Sequence, residues 1–298
     1  MGWFPTASVP PLAQQLLPPL SSSLYKGECG RIGVVGGSPT YTGAPFFAAM
    51  TALRVGADMV HVFAPPEAAR VIKGYSPELM VHPSYDRNTL RESLHRLDAL
   101  VLGPGLGRAD SSFETVEHVV EAAREKQLPL VIDADGLFFV SKKLEIIKGY
   151  KKAILTPNFP EFGRLYEAAF NGTKAVEEKL KSGEAAKELA NHLGCTVFQK
   201  GSKDIITDGA EVELGEEEGS PRRCGGQGDL LSGTLAVFFY WAERKNLPSP
   251  SVIAGKAASQ FIRLGARRSF KKHGRSMVAG DIIDEIPALI ADLDGYSE

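Results

Sequence analysis

The chain has few cysteines, no paired histidines, no long apolar run and almost no net charge. Each absence closes off a class of function. Its three cysteines, Cys29, Cys195 and Cys224, are too few and too scattered for a disulfide framework, and their spacing matches no zinc site. A reducing interior compartment is the expectation, with the cytoplasm first. Cys224 has no histidine near it in sequence and reads as a small side chain in a tight loop. The six histidines form no HxxxH or HxH pair, so any metal should be magnesium held largely by substrate phosphates and water. The run LAVFFYWA is followed by Glu243 and Arg244, and no stretch reaches the roughly 18 to 20 apolar residues that span a bilayer. A net charge of −2 gives no reason to expect nucleic acid or an anionic membrane surface as partner. There is no GxxxxGK[ST], no GxSxG, and GPGLG lacks the third glycine of a GxGxxG fingerprint. P-loop, hydrolase-elbow and Rossmann dinucleotide readings are therefore disfavoured.

The beginning is also unusual for what it lacks. No acid or base precedes Lys26. A signal peptide wants a charged start, and a mitochondrial presequence normally carries arginines. The expectation is a tail over residues 1–24, partly ordered at most, with a helix over residues 9–20 packing on a neighbour. Residues 25–298 then form one catalytic domain, which suits the chain length.

What is present alternates. RIGVVGG, MVHVFA, DALVLG, PLVIDADG, AILTPN, TVFQKG and DIITDG read as strands. Between them PFFAAMTALRVGA, SSFETVEHVVEAAREKQ (serine-capped), PEFGRLYEAAF and SGEAAKELANHLG read as helices. The strands are continuous apolar runs, as expected when both faces are covered. This predicts an α/β fold with a doubly wound, mostly parallel sheet and helices on both faces. Residues 211–220, EVELGEEEGS, read as an acidic turn or hairpin in a solvated loop. The turns GGS, GPGLG, DADG, TPN, KGSKD and CGGQGD should gather along the carboxyl edge of the sheet, where such folds bind ligands.

The densest signal is CGGQGDLLSG, residues 224–233. Glycines open a long apolar helix, so backbone N–H groups and the helix dipole can hold an anion. Asp229 stands in the first turn, beside where a phosphate would sit. A carboxylate there suits a base that accepts a proton from a hydroxyl attacking a phosphoryl group. A plain helix cap and tight turn would explain a lone GxGD. Four glycines preceded by Arg222 and Arg223 favour the anion.

GxGD before an apolar helix, with N-x-x-E at residues 158–161 after an earlier strand, resembles the ribokinase-like fold, a three-layer α/β/α architecture. The blocks GRIGVVGGSPTYTGAPFFAAMTALRVGADMVHVF, YSPELMVHP, LVLGPGLGR, VIDADGLF, ILTPNFPEFGRL, FQKGSKDII and RRCGGQGDLLSG resemble the ATP-dependent NAD(P)H-hydrate dehydratases, in order, over nearly the whole chain. That resemblance implies a lyase that returns (6S)-hydrated NADH or NADPH to the reduced nucleotide. ATP phosphorylates the C6 hydroxyl and phosphate is then eliminated. It implies ATP and magnesium as co-reactants and an epimerase on a separate chain as functional partner. A homo-oligomeric state stays open.

The same resemblance distributes roles. Asp229 is the catalytic base. Gly225, Gly226 and Gly228 form the anion hole. ATP falls to Lys200, Gly201, Ser202, Lys203 and Asp204, and to Gly219, Ser220, Pro221, Arg222, Arg223, Cys224, Gly225, Gly226, Gln227 and Gly228. The hydrated nucleotide falls to Gly105, Gly107, Asn158, Phe159, Pro160, Glu161, Phe162, Gly163, Arg164 and Asp229. No residue ligates the metal directly; Glu161 is the candidate for a contact through water. Phe159, Pro160 and Phe162 are equally well explained as helix-start packing, and Lys203 as a solvated turn lysine. Two other readings stay open. One is a kinase for a vitamin precursor, with the same base and anion hole. The other is a non-catalytic nucleotide sensor, which gains nothing from a carboxylate beside a phosphate.

Overall fold

A nine-stranded sheet divides the molecule into two apolar layers, one on each face. The computed structural model describes residues 10–295. In chain order the elements are α1 (Pro11–Leu16), β1 (Arg31–Val35), α2 (Gly43–Val55), β2 (Met59–Phe63), α3 (Pro66–Lys73), β3 (Met80–His82), α4 (Arg87–Leu94) and β4 (Ala99–Leu102). Next come α5 (Asp110–Lys126), β5 (Leu130–Ile132), α6 (Asp135–Lys142), β6 (Ala153–Leu155), α7 (Phe159–Ala169), α8 (Glu177–Ser182) and α9 (Glu184–Leu193). The last part holds β7 (Thr196–Gln199), β8 (Asp204–Thr207), β9 (Val212–Gly215), α10 (Gln227–Arg244), α11 (Pro250–His273) and α12 (Ala279–Asp294).

The strand order is β3-β2-β1-β4-β5-β6-β7-β8-β9. Strands β1 to β7 are parallel, and β8 and β9 add antiparallel pairs at one edge. All residues of β4, β5, β6 and β7 are buried, which explains their unbroken apolar character. The chain builds β2 and β3 on one side of β1, then returns to the other side with β4. The order reverses between β1 and β4, where the outgoing loops part and leave a crevice. There Gly37 N donates to Pro104 O at 2.9 Å.

Helices α1, α2, α3, α10, α11 and α12 cover one face, with Phe198, Phe238, Phe239 and Phe261 in its core. Helices α4, α5, α6, α7 and α9 cover the other. From Leu230 to Ala242 every residue of α10 except Tyr240 is buried, so this helix is enclosed nearly all round, with Ser232 and Thr234 bonded to its own carbonyls. It meets α2 backbone to backbone: a Cβ on Gly233 would lie 2.1 Å from Ala48 O. That close approach fixes where the start of α10 sits.

Four expectations need correcting. Of the acidic turn or hairpin expected at 211–220, the hairpin holds: residues 212–215 are not a solvated loop but the edge strand β9, paired antiparallel with β8, where Lys256 Nζ donates to Glu213. The serine cap of α5 is absent: the helix starts at Asp110, and Ser112 sits inside its first turn, donating to Leu106 O at 3.4 Å. Strand β3 and helices α3, α4, α6 and α8 are additional elements. Helix α1 is shorter than residues 9–20. Its Ala13 and Leu16 are buried in the layer of α10, α11 and α12, and Gln14 Nε2 donates to Leu293 O at 3.3 Å. Residues 1–9 of the expected tail lie outside the described residues. Among those described, no helix is long and apolar enough to cross a membrane.

Candidate active site

Three neighbouring strand ends each deliver one polar side chain to the same buried point. Asp133 directly follows the end of β5 and is 2% exposed. From the end of β6, Thr156 Oγ1 donates to Asp133 Oδ1 at 2.8 Å. From the end of β7, Lys200 Nζ donates to the same oxygen at 2.6 Å. Charges taken out of water must be paired and hydrogen-bonded to be tolerable, and this cluster meets the condition. Burial opposes the charge on Lys200, but Asp133 and Glu161 outweigh it and hold the ammonium above its ordinary range.

Helix α10 begins directly over this cluster. Gly226 caps it with φ 93°, in the region that favours glycine. A Cβ on Gly228 would stand 3.4 Å from Lys200 Nζ and 3.6 Å from Asp133 Oδ2, so the first turn presses its backbone onto the ion pair. Asp229 comes next. Burial first, and the charge of Asp133 second, push its carboxyl up to about 8, against the pull of Lys200. A carboxylate tuned to near neutrality can both take and release a proton during a reaction.

The start of α10 also separates two cavities. The larger, about 830 Å³, is lined by residues 200–204 and 216–221, by Arg223, Gln227 and Gly228, and by α11 residues including Ser259 and Arg263. The smaller, about 610 Å³, is lined by Tyr41, Ala44, Gly105, Gly107, Arg108, Ala134, Asp135 and Asp229. It opens at the β1/β4 crevice. Gly228 thus faces one cavity and Asp229 the other. Such a partition lets a donor phosphate and an acceptor hydroxyl meet at one helix N-terminus.

The model of the NAD(P)H-hydrate dehydratase family matches residues 32–288. The chain belongs to this family. The ATP-dependent (S)-NAD(P)H-hydrate dehydratases of Pongo abelii and Homo sapiens are 48% and 47% identical over 292 residues, covering 95% of this chain and 88% and 83% of theirs. The fold is shared with the Bacillus subtilis ADP/ATP-dependent NAD(P)H-hydrate dehydratase co-crystallised with ATP and magnesium, at TM-score 0.73 and 22% identity, covering 94% of this chain and 96% of that one. It is also shared with a Pyrococcus horikoshii hydroxyethylthiazole kinase, at TM-score 0.64 and 15% identity, covering 93% and 91%. The architecture is ribokinase-like, and the hydroxyethylthiazole kinase shares the fold alone.

Within the dehydratase frame, the expected residues fall into three groups. Lys200, Gly201, Ser202, Lys203, Asp204, Gly219, Ser220, Pro221, Arg223, Gln227 and Gly228 wall the larger cavity. Gly105, Gly107 and Asp229 wall the smaller. Arg222, Cys224, Gly225 and Gly226 lie in the turn before α10 without lining either cavity, and residues 158–164 line neither. Arg222 keeps a buried Nε without a partner. Gln227 Nε2 folds the turn, donating to Arg222 O at 3.0 Å and Cys224 Sγ at 3.1 Å.

Some side chains are already occupied. Asn158 and Glu161 form a reciprocal capping box at the start of α7, with Glu161 N donating to Asn158 Oδ1 at 3.0 Å and Asn158 N to Glu161 Oε2 at 2.8 Å. Burial raises the Glu161 carboxyl, with Lys200 opposing. Phe162 is 1% exposed and belongs to the core, whereas Phe159 is 63% exposed. Asp204 caps the turn, taking Gly201 N at 3.0 Å, and both its oxygens also bind Arg263. Its carboxylate shapes the loop and has no free oxygen for a ligand. Asp133, Tyr41, Arg108, Asp135 and Arg263 were not among the expected site residues. Only the two acids gave a signal, as the end of PLVIDADG.

Proposed function

We propose that this chain regenerates NADH and NADPH from their (6S)-hydrates with ATP as phosphoryl donor. The observation that carries the reading is the start of α10, with Gly228 on the larger cavity and Asp229 on the smaller. ATP occupies the larger cavity, with its γ-phosphate at the start of α10, toward Gly228 and the glycine turn that precedes it. The hydrated nicotinamide occupies the smaller, its C6 hydroxyl toward Asp229. Asp229 takes the hydroxyl proton as the oxygen attacks the γ-phosphorus and ADP leaves. The lone pair of the ring nitrogen then expels phosphate from C6, and loss of a proton from C5 restores the double bond. Each turnover yields one reduced nucleotide, one ADP, one phosphate and one proton.

Magnesium suits this site as an ion carried on the phosphates. Among the described residues no group of three or more His, Cys, Asp or Glu side chains is placed to hold a metal. Glu161 has one carboxylate oxygen outside its capping box and would reach such an ion through water. Bound there, magnesium would neutralise phosphate charge. Hydroxide leaves poorly and phosphate well, which is the reason for ATP. We further propose an epimerase on a separate chain as supplier of the S epimer, and the cytoplasm as compartment.

The test is incubation with hydrated NADPH, ATP and magnesium, following the near-ultraviolet absorbance of the reduced nicotinamide together with ADP and phosphate. Stoichiometric growth of all three is expected. A stable phosphorylated organic product without that absorbance would overturn the dehydratase reading and favour a kinase.

A further inference from the structure

The smaller cavity holds a cation that the proton transfer at Asp229 does not use. Arg108 follows the turn after β4 and lines the cavity with Asp229 and Gly107. Its Nε donates to Asp135 Oδ1 at 3.0 Å, and Asp135 Oδ2 accepts Gly107 N at 3.0 Å. Asp135 is 17% exposed and Arg108 54%, so the carboxylate is the fixed partner and the arginine is aimed by it. The guanidinium carbon lies 4.5 Å from the ring centre of Phe138. Lys142 Nζ lies 5.2 Å from the same centre. Two cations gathered on one ring repel each other, and a bound anion relieves that repulsion.

A second arginine shows what a purely structural role looks like here. Arg263 is 15% exposed and uses all three nitrogens on the protein, reaching Asp204, Ser202 O and Gly201 O. Arg108 uses only Nε. Among the described residues its two terminal nitrogens have no protein partner. They form the flat fork that matches phosphate oxygens two at a time.

We infer that Arg108 anchors phosphate oxygens of the hydrated dinucleotide, with Lys142 in support. This rests on the dehydratase reading. A ring whose C6 hydroxyl meets Asp229 carries its diphosphate one ribose away, and Arg108 is the cation that lines the same cavity. The diphosphate is common to both hydrates; the 2′-phosphate belongs to the NADPH form alone.

The experiment compares wild type, R108A and R108K on both hydrates at saturating ATP. For R108A we expect KM for hydrate to rise about tenfold or more. The KM for ATP, the kcat and the melting temperature should hold, and R108K should recover part of the loss. An equal rise with both hydrates assigns the diphosphate; a rise with the NADPH hydrate alone assigns the 2′-phosphate. Unchanged KM with both, or a loss confined to kcat, overturns the anchor. A wild type inert on hydrate would instead sink the dehydratase reading. In that event the anchor is read by fluorescence titration with NADPH, where R108A must bind more weakly.

Discussion

The two cavities beside α10 are built on opposite plans. The larger one gathers turns: residues 200–204 and 216–221 supply main chain and scattered charge, braced by Arg263. The smaller one has two carboxylates, one arginine and glycine backbone in tight quarters. Its Asp229 is pushed up to about 8 by burial and by Asp133. The difference separates tasks. In the proposed reading, grip on a highly charged donor would come from many weak, replaceable contacts, and proton transfer from one group whose environment is hard to alter without consequence. The Asp133–Lys200 pair couples them, because Lys200 lines the larger cavity while both charges act on Asp229, which lines the smaller.

The largest effect should come from the group that belongs to only one cavity. Asp229→Asn should lower kcat by about 10²- to 10⁴-fold, the range of a positioned base. The Kd for ATP should change little, since Asp229 does not line the larger cavity. Steady-state kinetics with calorimetric ATP titration checks both halves. Retention of most of the kcat would remove Asp229 from the base role.

Asp133→Asn attacks the link itself. It leaves Lys200, 20% exposed, with a neutral partner, and breaking a buried pair costs about 3 kcal/mol. Denaturant unfolding should register the loss. The same change deletes a negative charge that raises Asp229, so Asp229 should titrate lower. In the wild type, kcat/KM for hydrate should climb with pH through a limb near 8, because the working form is the carboxylate. In the variant that limb should move down. A limb that stays in place would show that Asp133 acts on stability alone.

How much of this was legible in sequence follows from chain distance. Strands β4 to β7 could be read because both their faces are buried and the runs are apolar throughout. Strand β3 has only three residues, two of them half-exposed, and it leaves no such run. Helix α6 follows β5 after two residues, turning sharply at Ala134 with φ 49°, so DADGLFF reads as the tail of a strand. The acids of that segment were visible. Their fates were not, since Asp133 points to partners 23 and 67 residues away while Asp135 turns to the Gly107 loop. Phe159 and Phe162 look alike in a list of aromatics. Only the phase of α7 sends Phe162 into the core and leaves Phe159 outside. Arg108 gave no signal of its own, because its aim is set by Asp135, 27 positions on.

A smaller effect should appear in stability, and with the opposite sign to the loss of activity. The Asp229 carboxyl titrates higher in the folded chain than its ordinary value near 4. The folded state therefore favours the protonated form, and ionisation of the unfolded chain draws stability away as pH rises from about 4 toward about 8. Asparagine carries no such cost. Asp229→Asn should match the wild type below about pH 4 and exceed it increasingly up to about pH 8. Melting curves across that range test it. A constant offset would mean that the gain comes from packing rather than charge.

The smallest effect should lie at the rim of the larger cavity. Lys203 is 62% exposed and its ion pair with Glu216, 69% exposed, spans 3.2 Å. Exposed pairs of this kind contribute roughly 0 to 1 kcal/mol, so Lys203→Ala should leave the melting temperature nearly unchanged. Its charge nevertheless lines the larger cavity, so with ATP bound there as proposed its KM should rise about two- to fivefold. Added salt should erase the difference, since solvent-facing charges are screened within about 10 Å at 0.1 M. The KM for hydrate should not move, because Lys203 does not border the smaller cavity. Lys200→Ala makes the contrast: it removes a cation that lines the larger cavity and is paired with the buried Asp133. It should raise the KM for ATP more than Lys203→Ala does, resist rescue by salt, and shift the Asp229 limb to higher pH, because Lys200 pulls that carboxyl down. Equal behaviour of the two lysines would mean that the larger cavity reads charge only diffusely and that the buried pair has no special hold on the chemistry.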